Sequence, residues 1–421
     1  MRAFSVRLST ISPLAIRADH ALIGANMTSY IPGSSFVGGL AAVHRSLYKG
    51  KEQEFARFFL NTEVLYPDLY PANFDELANS PEEPVYPLPR TAISCKRHPG
   101  FLTTRKKTTE QHGAQDTLCS WVLFSLSDMK RLEALDQQKK CPHCKESMDR
   151  FAGYYRRALR PSPERKSSQE LMHERATDNY TRLQTRTGIN RETGTVEEGI
   201  LYNRMVFEED AQFWGQIMLP DDDELYNNFS LFVEKIGDSQ MVRLGTGRTR
   251  GLGKVALTIE RLYDESNEQE RFAQFRQRLA ALNQLIHKQA KNILKHEHDF
   301  FFAVTLHAPL ILRDELLRYR GSLDEKALKG ILGQGIPGLK LIYQSAGTKR
   351  VTGWYELWGT PRINEYAIET GSVFLFRCAS EPDEKLEKAL FQLEEQGIGQ
   401  RRAEGFGRIC ISDAFHSEGQ R

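Results

Sequence analysis

The sequence predicts an α+β fold made of two similar halves, and three observations predict it. Each half opens on a strand: Phe4, Val6 and Leu8 alternate with Ser5, Arg7 and Ser9, and Phe300 to Leu306 is a nearly uninterrupted apolar run. Each half then carries an acidic amphipathic helix ahead of a glycine-rich basic loop, Asp221 to Lys235 before Val242 to Val255, and Glu384 to Gln396 before Gly399 to Arg408. Each loop runs straight into a short apolar strand, Val255 to Ile259 and Ile409 to Ile411. Initial strand, polar or glycine-rich middle, acidic helix, basic glycine loop and closing strand therefore recur in one order.

At 421 residues the chain is long enough for two or three domains with ample core. A formal net charge of +2 excludes a globally basic nucleic-acid binder. Cations concentrate instead around Lys96 to Lys107, Arg156 to Lys166 and Arg182 to Arg191, and in the two glycine loops. Acids collect at Asp221-Asp222-Asp223-Glu224 and from Glu381 to Glu395. Such segregation suits one face for a polyanion and another for basic protein neighbours. The N-terminus has no apolar leader and no run is long enough to span a bilayer, so a cytoplasmic protein without a membrane partner is expected.

After the first strand, Ile31-Pro32-Gly33-Ser34-Ser35-Phe36-Val37-Gly38 leads into helical spacing through Leu47. Ser34 or Ser35 is the expected N-cap, and a helix N-terminus favours phosphate; an ordinary capped helix is the plainer reading. Glu54 to Leu60 extends or repeats the helix, and Pro67 to Pro89, rich in proline and acid, leaves the core as an irregular excursion. Arg175 to Arg191 is rich in Thr and Arg with a turn at Gly188, and strand signals follow at Ile200 to Phe207 and Phe213 to Leu219. This predicts a long hairpin carrying Arg182, Arg186 and Arg191, where cations can straddle a nucleic-acid backbone, unless its tip is merely solvated. Glu260 to Lys295 is the natural helical connection between the halves.

The first glycine loop sets Gly245, Gly247, Gly251 and Gly253 among Arg243, Arg248, Arg250 and Lys254. Glycine lets backbone N–H groups approach a ligand, and arginine supplies planar forks that match phosphate. It is neither a dinucleotide fingerprint nor a P-loop, because its glycines follow a helix and open a strand rather than the reverse. A basic hairpin turn is the plain alternative, and the second copy near the C-terminus weighs against it.

Four of six cysteines fall within fifty residues. Cys141-Pro142-His143-Cys144 is a CxxC knuckle, and six cysteines in a reducing compartment argue for metal or free thiols before disulfides. The expected arrangement is a structural Zn²⁺ held by Cys95, Cys119, Cys141 and Cys144, with His112 or His98 as the possible replacement for Cys119. A thioredoxin-type pair is disfavoured, since no βαβ pattern frames the knuckle.

Two halves that each end in helix, glycine loop and strand, together with Ile31-Pro32-Gly33-Ser34-Ser35 and Gly38, resemble the RAMP superfamily of CRISPR systems. The resemblance implies two ferredoxin-like βαββαβ domains, an N-terminal one at 1–263 with a zinc-binding insertion at 67–170, a connecting helix at 264–297 and a C-terminal one at 298–421. The two-domain layout, the zinc-type insertion and Thr185-Arg186-Thr187-Gly188-Ile189-Asn190-Arg191 are similar to the large RAMP subunit of type III-D interference complexes. By that resemblance the 5′ handle of the guide RNA (crRNA) is held by Arg243, Arg248, Thr249, Arg250 and Lys254 in the first loop. Tyr30, Ser34 and Ser35 at the helix start, and Arg401, Arg402 and Arg408 in the second loop, would complete the cradle.

The function implied is a non-catalytic RNA-binding subunit of an antiviral effector. Its partners would be crRNA, a large polymerase-like subunit, backbone RAMP subunits and, indirectly, target RNA. The rival is a metal-independent endoribonuclease that trims repeat RNA, for which His20 and His44 are the available histidines; His44, beside Arg45 on the first helix, is expected to be a surface residue.

Overall fold

The computed structural model describes the chain apart from residues 18–26, 75–83, 103–110, 128–138, 162–168, 178–180, 190–191, 194, 238–240, 264–266, 292–297, 334, 356–358 and 419–421. His20 and Arg191 lie outside the described residues.

The first half follows the chain as β1 (Arg2–Thr10), α1 (Gly33–Leu47), β2 (Tyr70–Pro71), β3 (Gln212–Leu219), α2 (Asp223–Gly237) and β4 (Val255–Tyr263). Its sheet is antiparallel, in the order β4-β1-β3-β2, so the alternating N-terminal strand is central. Phe4, Val6 and Leu8 point from β1 into a core completed by Phe36 and Leu40 of α1 and by Phe229, Phe232 and Ile236 of α2. The 3- and 4-residue spacing of Leu225, Phe229, Phe232 and Ile236 puts them on one stripe of α2, and burying that stripe is what holds the helix to the sheet.

Helix α3 (Glu268–Ala290) links to the second half, which runs β5 (Phe300–Leu306), α4 (Glu325–Leu332), β6 (Lys340–Ser345), β7 (Val373–Cys378), α5 (Glu384–Gln396) and β8 (Ile409–Ile411). The sheet order β6-β7-β5-β8 is the same permutation, again antiparallel. Every residue of β5 is buried, which accounts for its unbroken apolar run. Phe300, Phe302 and Val304 share a core with Leu328, Leu390 and Phe391, whereas Phe301 and Ala303 face Leu282 and Ile286 of α3 and Leu118 and Val122 of the helix Leu118–Leu126.

In each half the chain leaves the sheet between its second and third strands. The second half makes a hairpin, Thr348–Val351 with Glu365–Ile368. The first makes a longer excursion that ends in the hairpin Thr181–Ile189 with Val196–Phe207. Before it come two three-stranded sheets: one has Val85–Pro87 beside Tyr154–Pro161 and Gln169–Arg175, the other has Ala92–Cys95 between Ala114–Asp116 and Met148–Arg150. Gln169–Arg175 is a strand although its composition is polar. The C-terminal segment anchors this excursion: Phe415 is fully buried among Phe101, Phe151 and Tyr155, His416 Nδ1 lies 2.7 Å from Asp116 Oδ2, and His173 Nε2 lies 2.7 Å from Glu418 Oε2.

Part of each acidic stretch is paired within the chain. Arg2 pairs with Asp221 at 2.9 Å and Asp223 at 2.6 Å, and Arg57 pairs with Asp222 at 2.7 Å. On α5, Glu394 meets Arg278 at 2.5 Å and Glu395 meets Arg271 at 2.8 Å, both arginines coming from α3. Carboxylates at the α2 N-terminus also complement its dipole. Among the described residues no helix is long and apolar enough to cross a membrane.

Candidate nucleic-acid interface and metal cluster

The two glycine loops share one stem. In the first, Leu244 N–H donates to Gly253 O at 2.9 Å, Gly253 N–H to Pro13 O at 2.9 Å and Thr246 N–H to Ala15 O at 2.9 Å. In the second, Ile398 N–H donates to Gly407 O at 2.8 Å, Gly407 N–H to Pro309 O at 2.8 Å and Gln400 N–H to Ile311 O at 3.0 Å. Leu14 and Leu310, in equivalent places, each exchange two backbone hydrogen bonds with the last residue of the half's hairpin, Phe207 and Ile368. Gly253 and Gly407 have φ of 79° and 75°, and a Cβ on either would collide with the carbonyl oxygen of Leu244 or Ile398. Glycine is therefore required there by conformation and by close approach. The matching segments Ser12-Pro13-Leu14-Ala15 and Ala308-Pro309-Leu310-Ile311 are the signal of this pairing in the sequence.

The tips of the loops differ. In the first, Arg248, Thr249 and Arg250 form one exposed 3₁₀ turn between Gly247 and Gly251, both left-handed at φ 75° and 80°. Arg243 and Lys254 bridge at the base of the stem. Arg204, from the neighbouring hairpin, sets its guanidinium against Gly247, where an added Cβ would lie 2.6 Å from Nη1. That residue was not anticipated, because nothing near it in the chain marks it. Leu244, at the foot of the loop, packs on Gly39 of α1.

The second loop is closed by the protein itself. Arg401 meets Glu365 at 2.6 Å and Glu404 at 2.8 Å, and Glu404 also meets Arg362 at 2.7 Å. Arg402 Nη1 donates to Gln396 O at 3.1 Å and Arg408 Nη1 to Glu395 O at 3.4 Å, where both cations complement the C-terminal end of α5. The tip then docks on the start of α1: Glu404 bridges Tyr66, and a Cβ on Gly33 would lie 2.6 Å from Glu404 O.

At that start the structure corrects the capping expectation. Pro32 is the N-cap, without a side-chain hydrogen bond, and Ser34 and Ser35 sit half-buried in the first turn. Gly33 N–H is taken by Asp68 Oδ1 at 2.8 Å, a tertiary cap from 35 residues away. Tyr30 lies in the seam between the halves, its hydroxyl accepting from Lys349 Nζ at 2.8 Å and its ring edge-on to Tyr70. Arg182 is at the root of the long hairpin, paired with Glu209 at 3.2 Å, and Arg186 lies farther along opposite Tyr202.

His44 is not a surface residue. It is 1% exposed, enclosed by Phe55, Phe58, Phe59 and Phe232, and its Nε2 lies 2.9 Å from Glu54 Oε1. A histidine so enclosed has no route to an RNA 2′-hydroxyl.

Cys95, His112, Cys141 and Cys144 form a cluster whose ligand atoms all lie within 4.8 Å of one another. Cys95 Sγ is 3.5 Å from Cys144 Sγ, and Cys141 Sγ is 3.3 Å from His112 Nδ1. Tetrahedral Zn²⁺ with Zn–S bonds of about 2.3 Å places sulfurs about 3.8 Å apart, so three thiols and one imidazole at these separations fit that ion. The expected fourth cysteine is elsewhere: Cys119 packs between Leu118, Leu282 and Phe301, and burial pushes its thiol up to about 12. Helix Leu118–Leu126 buries that face against α3, and His112 is the fourth member of the cluster in place of Cys119. His98 is not in the cluster, although its ring lies 4.3 Å from that of His112.

The family model described as RAMP superfamily matches residues 7–256. No curated protein matches the chain. Among solved structures, one chain from the type III-B Cmr-beta complex bound to cognate target RNA and AMPPnP is 13% identical, with TM-score 0.38, covering 88% of this chain and 86% of that one. Oligomeric Cmr4 from Pyrococcus furiosus is 12% identical, with TM-score 0.28, covering 62% of this chain and 100% of that one.

Proposed function

The chain belongs to the RAMP superfamily, and from that premise we propose that it is a non-catalytic guide-RNA-binding subunit of a type III-D-like CRISPR effector complex, holding the 5′ handle of the crRNA. One observation carries the reading: of two loops with the same stem, the second is closed by Glu365, Glu404 and the α1 start, while the first exposes Arg248, Thr249 and Arg250. Exposed arginine forks on a glycine stem, with backbone N–H groups in left-handed turns, suit phosphates and unstacked bases. Arg243 and Lys254 sit at the base of that loop, and Arg204 lies between it and the hairpin that carries Arg182 and Arg186. Arg401, Arg402 and Arg408 hold the seam and the end of α5.

The repeated 4-1-3-2 strand permutation supports reading both sheets as ferredoxin-like domains, 1–263 and 298–421, joined by 264–297, with an insertion at 67–170. Within the insertion the Cys₃His cluster is read as a structural Zn²⁺ site, which would tie three separate stretches of a segment with a small core. A crRNA-holding RAMP subunit in the cytoplasm would contact a large polymerase-like subunit and backbone RAMP subunits, and meet target RNA through the guide.

Sequencing the RNA and identifying the proteins that travel with a tagged copy tests this. Repeat-derived crRNA together with other effector subunits is the expected result. Purified protein that cleaves repeat RNA at one site would overturn the non-catalytic reading in favour of an endoribonuclease, whose general base would have to be a residue other than His44.

A further inference from the structure

We propose that the exposed face of the cysteine–histidine knuckle is a second contact surface for single-stranded RNA, separate from the glycine loop. The structure gathers cations there from two stretches far apart in the chain, 96–97 and 139–145. Lys96 N–H donates to Ser147 O at 3.0 Å, Lys140 bridges Ser147, and Met148 N–H donates to Lys139 O at 2.8 Å. Lys96 and Arg97, Lys139 and Lys140, and Lys145 therefore border one small surface, and all five are exposed. Glu146 and Asp149 are the exposed acids among residues 139–150, and the Lys96–Asp149 pair at 3.9 Å spans two well-exposed side chains, which leaves it weak.

The same surface carries rings. His143 is exposed, His98 is half-buried, and both lie beside the His112 ring, with centroids 5.2 Å and 4.3 Å away. Cations that follow a backbone, interleaved with flat rings and prolines on a rigid turn, suit unstacked bases on a flexible strand. A duplex would need cations spaced along a longer face. The knuckle is rigid where this matters: Cys141 N–H donates to Glu146 O at 2.7 Å and Lys145 N–H to Cys141 O at 3.0 Å, so the turn that bears Lys145 is fixed by its own backbone. The inference shares with the proposed function only the choice of RNA as the polyanion, and it does not depend on the loop.

The test uses full-length protein and a fluorescein-labelled uridine homopolymer, with binding followed by anisotropy at several salt concentrations. Replacing Lys96, Lys140 and Lys145 together by Ala should weaken binding about tenfold near physiological salt and reduce the salt slope by about 2, since a single strand loses about 0.7 of slope per phosphate contact. An unchanged affinity and slope would overturn the proposal. Arg248→Ala with Arg250→Ala, measured alongside, separates the two readings: loss in the loop variant alone sinks the knuckle and spares the loop, and loss in the knuckle variant alone does the reverse. A second readout needs no variant. Wild-type protein irradiated with 4-thiouridine RNA should give crosslinked peptides spanning 95–98 or 139–147. Crosslinks confined to the glycine loop and hairpin, or capture of polyglutamate in preference to RNA by the knuckle, would also overturn it.

Discussion

Asp68 caps Gly33: its Oδ1 accepts the first backbone N–H of α1 at 2.8 Å while its carboxylate stays 6% exposed. A Cβ added to Gly405 would lie 2.6 Å from the same oxygen, so one carboxylate holds the helix start and the tip of the second loop together. Burial pushes the Asp68 pKa up to about 7, against the opposing pull of Lys349 and the Gly33 N–H.

The first prediction follows from that shift. The folded carboxyl holds its proton more tightly than the unfolded one, so the stability it contributes is fully present below the ordinary carboxylate range and is lost as pH rises to about 7. The loss should be at most about 4 kcal/mol over that window. Asp68→Asn keeps an acceptor for Gly33 and removes the charge. Its thermal midpoint should vary less between about pH 3.5 and about pH 7.5 than that of the wild type. Equal pH slopes in the two proteins would refute the account.

The metal cluster makes a prediction that separates His112 from Cys119. Freshly purified reduced protein should contain about one Zn²⁺ per chain, because three thiolates and an imidazole bind it tightly. His112→Ala should lower zinc content and stability. Cys119→Ala should leave zinc content unchanged while costing about 1 kcal/mol of packing, since its sulfur fills an apolar site. Zinc lost from the Cys119 variant and retained by the His112 variant would reverse the assignment.

At the first loop, Arg248→Ala with Arg250→Ala should cost about 2 to 4 kcal/mol in RNA affinity and lower the salt slope by about 1.4, with circular dichroism unchanged. The glycines should divide by position. Gly251 has open space around it, so Gly251→Ala bears only the strain of a φ of 80°, about 1 kcal/mol. Gly253→Ala meets the Leu244 carbonyl and should lower the melting temperature and remove RNA binding together. If the two glycine variants behave alike, the shared stem does not set the loop's shape.

The in-chain pairing of the acids predicts that Asp221→Lys with Asp223→Lys acts on the protein before it acts on assembly. Arg2 would then face two lysines in place of two carboxylates, so the isolated chain should melt at a lower temperature. A variant that melts normally and fails only to join its complex would restore the acidic face as a docking surface.

What the sequence by itself determined is the set of local elements and their repetition. Alternation in Phe4-Val6-Leu8, the stripe along α2, the span Glu384–Gln396 and the strand Ile409–Ile411 are all written in nearest-neighbour periodicity, and each formed where its pattern lies. The knuckle Cys141 to Cys144 was legible for the same reason. Only the tertiary structure decided that the second loop is tied down, because Glu365, Arg362 and Asp68 reach it or its docking site from elements that its own sequence does not mark. It likewise decided that His112 rather than Cys119 joins the cluster, and that His44 is walled in by Phe58 of the helix Glu52–Phe59 and by Phe232 of α2. These outcomes depend on which distant side chains share a volume after the sheets close, and periodicity along the chain carries no record of that.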